Sequence, residues 1–432
     1  MDLTMAARSV LELIASEGAS LSDDVNEVEQ KVREAVLRVG AKAAEMHLAG
    51  RPLGYEGSSR ACPNTYCGCD QRFVGYRPRT LATLLGQVAL GRAYYHCPRC
   101  GSSCCPYDEA CGLGPGHESV GLAKAAALVA AMDPFAPAAQ VLAELTGQRL
   151  GDRTVHRLAR RVGAAASEQE RQGAVRMAAW SALPAEARPA RLYVAVDGVM
   201  VHREQWNEAK CVTCYWEEGE GDRAVRHARY AVRFESADLF KAFAWSLACR
   251  CGLESAAEVV LLGDGAAWIW DHVWNVLGER AVCITDWYHV MEHVWACGKA
   301  LSGEGTAATE AWVKERETML WEGRWRQLVQ SLRDERKGAR SPPKRRALEE
   351  LETYLANQGD RLAYDRFRAA GYDIGSGRVE SACKHVVAVR MKRSGMIWSD
   401  GGAQDILSLR AVRLNGWWDQ FWATKPLLAN AA

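Results

Sequence analysis

Four carboxylates and two groups of cysteines are the residues whose types and spacing could do chemistry. Asp197 in YVAVDG and Asp264 in VVLLGDG each follow an apolar run and precede a glycine, and Asp286 in CITDWYH is a third aspartate at an expected strand end, with His289 three residues on. An uncompensated carboxylate at a buried strand end costs several kcal/mol, so parallel contexts of this kind predict a shared cation. Taken singly, Asp264 reads equally well as the N-cap of a helix starting near Ala266, and Asp197 as a turn residue. Glu380 is the one acid in IGSGRVESACKHVVAVRMKRSG, whose other charges are Arg378, Lys384, Arg390, Lys392 and Arg393. Carboxylates take hard divalent cations, and two magnesium or manganese ions about 4 Å apart stabilise the attacking and leaving oxygens of an in-line displacement at phosphorus. The cations after Glu380 would then lie along phosphates. A solvated basic helix with one incidental glutamate is the competing reading. His289 either orients a phosphate or a reacting water, or is a structural histidine bonded to the sheet.

The cysteines fall in CPNTYCGCD, residues 62 to 70, and CPRCG, residues 97 to 101. Two such knuckles fit a closed tetrahedral zinc site. Cys97 and Cys100 form the firmer pair, and Cys62 and Cys67 are expected to complete it, with Cys69 as a possible substitute. Cys104, Cys105 and Cys111 leave a variant coordination open. Cys211 and Cys214 also form C-x-x-C, but on an expected strand, where alternate facing favours core packing.

These groups need elements to position them. The stretch from Val25 carries Val28, Val32, Val36 and Val39 at helical steps, so residues 1–55 read as an N-terminal helical region. Residues 56–117 read as a zinc-ribbon-like module. Residues 118–180 follow as helix, helix, glycine-containing turn and helix, the outline of a helix-turn-helix unit. Arg153, Arg157 and Arg160 lie on its last helix, where a recognition helix would meet DNA. From Leu192 the period changes to strands. Three strands in meander, then alternating helix and strand, predict a mixed α/β sheet of RNase H-like order over 188–299. Residues 300–370, broken by GARSPPKRR, read as a helical insertion, and 371–432 as C-terminal helices of the core.

The chain has 432 residues, 54 basic and 53 acidic, with a net charge of +1, so total charge alone points to no polyanionic partner. The 15 cysteines, with no basic-then-apolar leader at the N-terminus, read as metal ligands and reduced core thiols rather than disulfides. No apolar run is long enough to span a membrane.

The motifs VDG (196–198), GDGA (263–266), DWYH (286–289), GSGRVESACKHVVAVRMKRSGMIWS (375–399) and GAQDILSLRA with GWWDQFW resemble the DDE transposases of bacterial insertion sequences, specifically the ISKra family. The resemblance spans most of the chain from about residue 60. It implies that Asp197, Asp264 and Glu380 are the catalytic triad holding the two magnesium or manganese ions. It also implies that Asp286 and His289 match a D-x-x-H motif of Mutator-like relatives. Expected with it are a structural zinc, cleavage of element ends and strand transfer into target double-stranded DNA. A homo-oligomer on DNA and a cytoplasmic, nucleoid-associated location are expected as well. An RNase H-like structure-specific nuclease, and a zinc-dependent DNA-binding regulator with an inactive catalytic domain, are the alternatives.

Overall fold

The computed structural model describes residues 3–16, 23–179, 185–219, 225–375, 377 and 382–427. They form two compact units, Met1–Ala166 with Trp417–Ala432, and Ser167–Gly416.

In the first unit α1 (Leu3–Ser16) and α2 (Val25–Leu48) precede an antiparallel sheet of β1 (Ser59–Ala61), β2 (Asp70–Thr83), β3 (Gly86–His96) and β4 (Ser103–Cys104), in that order. Asp24 caps α2 by accepting from Asn26 N. The face that α2 buries is not the valine stripe expected from sequence: Val25, Val36 and Val39 are exposed, and Ala35 and Ala41 are buried. Small side chains win because the hairpin comes close. A Cβ on Gly86 would lie 3.5 Å from the Ala41 methyl, and Leu85 packs against Gly40. β2 and β3 make one long hairpin, paired from Arg72↔His96 to Thr83↔Gly86 with a bulge at Phe73/Gly75. After α3 (Pro106–Ala110) come α4 (Val120–Met132), α5 (Phe135–Thr146) and α6 (Asp152–Val175). Gly147, at φ +72°, terminates α5 in the left-handed region that a side chain resists. The division between the units falls within α6. The chain returns to the first unit at Trp417, so GWWDQFW belongs there and not to the core as expected from sequence. Phe421, Trp422 and Leu427 are buried there, and Lys425 Nζ donates to Ala110 O at 2.9 Å.

The second unit is built on a five-stranded mixed sheet, β7 (Val225–Arg233), β6 (Trp206–Glu218), β5 (Arg191–His202), β8 (Glu258–Gly263) and β9 (Ala281–Thr285), in that spatial order. β5, β6 and β7 pair antiparallel, and β8 and β9 pair parallel with β5 and with each other. Leu192, Val194, Ala195, Val196 and Val259 to Leu262 are almost completely buried, as central strands covered on both faces require. Each large apolar side chain among them contributes about 1.5–3 kcal/mol. α7 (Ala237–Arg250) follows the meander. The segment expected as one helix after Asp264 is a π-turn, Ile269–Val273, running into the four-residue α8 (Trp274–Leu277). α9 (Trp287–Ser302) follows directly on its N-cap, Asp286. The expected insertion is helical: α10 (Ala307–Trp321), α11 (Trp325–Gly338) and α12 (Pro342–Gln358), with α10 and α12 packed on α9.

At the sheet edge Arg233 is fully buried. It is paired with Glu170 at 2.7 Å and Glu235 at 2.6 Å, and its Nη1 donates to Ser167 Oγ at 3.0 Å. Burial pushes the Glu170 carboxyl above its ordinary value. Burial also raises Glu235, but its hydrogen bond and charge pairing with Arg233 outweigh this and hold it below the ordinary value. Among the described residues no helix is long and apolar enough to cross a membrane.

Candidate functional site

The cysteine centre is assembled by two tight turns at the end of the first unit's sheet. In the first, Cys67 N donates to Asn64 O at 2.9 Å and Tyr66 N to Asn64 Oδ1 at 3.1 Å. In the second, Gly101 N donates to Cys97 O at 3.0 Å, and Gly101 sits at φ +73°, a conformation that favours glycine. Cys62, Cys67, Cys97 and Cys100 thereby bring their Sγ atoms within 4.8 Å of one another. Cys62 and Cys100 are 3.6 Å apart, and Cys67 and Cys97 are 3.7 Å apart. Zinc–sulfur bonds of about 2.3 Å in a tetrahedron require sulfurs roughly 3.8 Å apart, so the four thiols can hold a metal ion such as zinc.

Cys69 is outside this group. Its Sγ accepts from Arg99 at 3.5 Å, while the same guanidinium donates to Cys67 O at 2.9 Å. Ser102 Oγ lies 3.2 Å from both Cys62 and Cys100. Hydrogen bonding by Ser102 lowers the Cys100 thiol to about 6, whereas burial pushes Cys67 up to about 12. The fully buried Gln71 fixes Ser102, donating to its carbonyl and its hydroxyl, both at 3.2 Å. Sequence reading named the four ligands but not this supporting pair.

The acidic cluster lies where β8 stops. Val196 and Gly263 are the last paired residues of the parallel ladder, so Asp197 and Asp264 are the next residues on neighbouring strands. Asp197 is not at a strand end as expected from sequence. β5 continues to His202 because its antiparallel pairing with β6 goes on past Asp197↔Cys211. Each aspartate has a local partner: Asp197 Oδ1 accepts from Gly198 N at 2.7 Å, and Asp264 Oδ1 from Ala266 N at 2.8 Å. Burial raises the Asp197 carboxyl above its ordinary value and the charge of Asp264 adds to this, while the Gly198 N–H, the Cys383 thiol and His289 oppose it. The two aspartates therefore share one electrostatic site.

Asp286 is buried and serves as the N-cap of α9, its Oδ1 accepting from His289 N at 2.8 Å. The His289 ring is partly exposed, with Nδ1 3.5 Å from Glu292 Oε2. Glu380 lies outside the described residues. Among the described residues the thiols are the one group of three or more His, Cys, Asp or Glu side chains compact enough to hold a metal.

Four further residues complete the surroundings of the aspartates, and the sequence reading had passed over all four. His293, one turn beyond His289, stacks on Tyr354 at 4.0 Å, and burial lowers it below the ordinary imidazole value. Tyr354 OH donates to Asp264 O at 2.8 Å, and Gln358 Nε2 to Gly265 O at 3.0 Å. Cys383 is kept protonated by its hydrogen bond with Cys211, by burial and by the charge of Asp197, to which it also hydrogen-bonds. Gly265, at φ +100°, admits the approach of α12, since a Cβ there would meet Gln358 and Tyr354 at 2.8–3.0 Å. The helical spacing of His289 with His293, and of Tyr354 with Gln358, was a signal available in the sequence.

Of the expected DNA contacts, Arg153 is exposed, and Arg157 is exposed but paired with Glu118 at 2.6 Å. Arg160 is partly buried. Lys384, Lys392 and Arg393 are exposed. Arg390 is not: it is completely buried with its guanidinium 4.9 Å from the Trp398 ring centroid, so its expected place on a DNA-facing surface is corrected. The cause is local geometry. Cys383–Ala388 is a π-turn followed by the short helical segment Val389–Met391, not a regular helix, and the residues after it are rotated from their expected faces.

Fold and site together define a mixed α/β protein with two sheets and a four-cysteine centre able to hold a metal. The chain belongs to the Uncharacterised protein family (UPF0236), which it matches over residues 70–422. No curated protein matches it.

Proposed function

We propose that the chain is a DDE-type transposase that binds the ends of an insertion sequence, cuts a DNA strand there and joins it to target DNA. The observation that carries this reading is the register of β5 and β8, which sets Asp197 and Asp264 side by side where the parallel ladder ends. The strand order β7-β6-β5-β8-β9, with three antiparallel strands and two parallel ones, supports an RNase H-like core. In open α/β sheets ligands gather at the carboxyl ends of such strands.

Asp197, Asp264 and Glu380 are the residues that would hold two magnesium or manganese ions, whose Lewis acidity serves an in-line displacement at a phosphodiester. Tyr354 and Gln358 fix the Asp264–Gly265 backbone, and the Cys383 thiol orients the Asp197 carboxylate. His289 and His293, their rings 5.0 Å apart, would border the DNA strand entering the site. The first step hydrolyses a strand at the element end, and the freed 3′-hydroxyl then attacks a target phosphodiester. The four-cysteine module as a zinc ribbon, and α4 to α6 with Arg153 as a helix-turn-helix, would bind the ends. Lys384, Lys392 and Arg393 would hold phosphates. A homo-oligomer acting on paired ends within the nucleoid completes the reading.

The local hydrogen bonds of Asp197, Asp264 and Asp286 favour a second reading, a zinc-dependent DNA-binding regulator whose acidic residues only cap and turn the backbone. Incubating labelled element ends with magnesium and either the native chain or Glu380→Gln separates the two. The transposase reading expects cleavage and strand transfer by the native chain alone. Equal cleavage by both removes Glu380 from the site, end binding without cleavage by the native chain favours the regulator, and cleavage without strand transfer favours a nuclease.

A further inference from the structure

The segment between α11 and α12 has no place in the chemistry above, yet its charge is the most one-sided of the described surface around the insertion. From Arg336 to Arg346 the sequence RKGARSPPKRR holds six cations and no acid, in a chain whose basic and acidic residues otherwise nearly balance. Three of the six are neutralised within the hairpin: Arg336 by Glu349 at 2.9 Å, Lys337 by Asp334 at 2.9 Å and Arg346 by Glu350 at 2.8 Å. Arg340, Lys344 and Arg345 are exposed, and no carboxylate pairs with them among the described residues.

Their setting is unfavourable for cations. Lys344 and Arg345 occupy the first turn of α12, the positive end of the helix dipole, and no acid stands in that turn. The tip is nonetheless well fixed. Pro342 and Pro343 hold the first helical positions, and Arg345 Nη2 donates to Ala339 O at 3.0 Å. Cations held rigidly together against local electrostatics, without a carboxylate partner among the described residues, fit an anionic partner with closely spaced charges.

The other end of α12 identifies that partner. Tyr354 and Gln358 bond to the backbone of Asp264 and Gly265, so one straight helix connects the acidic cluster to the basic tip. Ten residues separate Tyr354 from Lys344, about 15 Å at 1.5 Å per residue. On a duplex running parallel to α12 that is roughly four to five base pairs at 3.4 Å each. We infer that the α11–α12 tip is a second contact for duplex DNA, in which Arg340, Lys344 and Arg345 bind phosphates about four to five base pairs from the strand held at Asp197 and Asp264. The position of this contact rests on the reading of the acidic cluster as the DNA-cutting site. The charge of the tip does not.

The test uses the full chain, a fluorescein-labelled mixed-sequence DNA duplex, and the triple variant Arg340→Ala/Lys344→Ala/Arg345→Ala. Loss of three phosphate contacts lowers the slope of log affinity against log salt by about two to three, and weakens binding roughly ten- to a hundredfold at moderate salt. Thermal melting should change by no more than about 2 °C, because all three side chains are exposed and the variant loses one surface hydrogen bond, Arg345 to Ala339 O. Independently, a photo-cross-linker on Lys344→Cys should mark the duplex about four to five base pairs from the cut phosphate. A salt slope equal to that of the native chain, or a cross-link at random positions, overturns the inference and leaves the reading of the acidic site intact. Loss of binding to phosphatidylserine vesicles with DNA binding unaltered also overturns it. A native chain that binds through the tip but never cuts DNA with magnesium removes the reading of the acidic site instead, and with it the assigned spacing.

Discussion

The four-thiol centre and the acidic cluster each gather like side chains from separate segments, and they do so in opposite ways. The thiols are already in place, with sulfurs 3.6 and 3.7 Å apart in two pairs. Asp197 and Asp264 are neighbours by register, but each turns one oxygen to a nearby backbone N–H. Charge explains the difference. Thiols can hydrogen-bond to one another at van der Waals distance, and Ser102 supports the lowered Cys100, so turns and one hydroxyl can close the centre around four ligands. Two carboxylates repel, and the charge of Asp264 raises Asp197 further above its ordinary value. A closed set of ligands suits a structural ion, and a pair of carboxylates at the end of a parallel ladder suits an ion that meets a substrate. The units also differ in what holds them. One has the thiol centre, and the other has Arg233 buried between Glu170 and Glu235.

The largest effect expected from this contrast is on the thiol centre. Cys97→Ser or chelation should remove one zinc per chain, measured by elemental analysis, and open residues 59–104 to proteolysis. Structural zinc contributes on the order of 10 kcal/mol to small domains. Identical digestion patterns with and without chelator would break the contrast. At the acidic cluster Asp197→Asn should leave the fold intact and slow magnesium-dependent DNA cleavage about a thousandfold, equivalent to ~4 kcal/mol. Unaltered cleavage would reduce Asp197 to a backbone-turning residue.

A smaller effect concerns the ion pairs of the sheet unit. Because Arg233 holds Glu235 below its ordinary value, the pair contributes stability above the unfolded carboxylate value, and that stability is lost as pH falls through the lowered folded value. Glu235→Gln should therefore cost about 2 kcal/mol in urea unfolding near pH 7, with the gap to the native chain shrinking on acidification. A gap that widens in acid would show that Glu235 is not charged in the fold. The smallest effect is at Tyr354→Phe, which removes one hydrogen bond to the Asp264 carbonyl and should cost about 1 kcal/mol, a few-fold in cleavage. A loss as large as that of Asp197→Asn would place the phenol among the reacting groups.

The strands that carry the acidic cluster were legible because β5 begins as, and β8 is, a nearly continuous apolar run, although the aspartate and glycine that follow the run lie beyond β8 but within β5. The thiol pairs were legible because knuckle spacing is set by backbone turns a few residues long. The face buried by α2 was misread. Periodicity marks the large apolar residues, but close packing with the hairpin selected Ala35 and Ala41. Arg390 was misplaced for a related reason, since a π-turn shifts every later residue around the axis and carries this one into the core. The assignment of Trp417 onward to the first unit had no sequence signal, because a buried aromatic run says that it packs but not against what.

By itself the sequence determined the apolar strands of the second unit's sheet, which cysteines can pair into knuckles, and which carboxylates follow apolar runs. Those depend on interactions within a few residues of the chain. Tertiary structure alone decided that Cys69 stands outside the thiol group and that α12 reaches the acidic cluster through Tyr354 and Gln358. It also decided that Cys383 and Cys211 adjoin Asp197. Those outcomes depend on how residues far apart in the chain fill the same space, a property of shape and burial that no local pattern encodes.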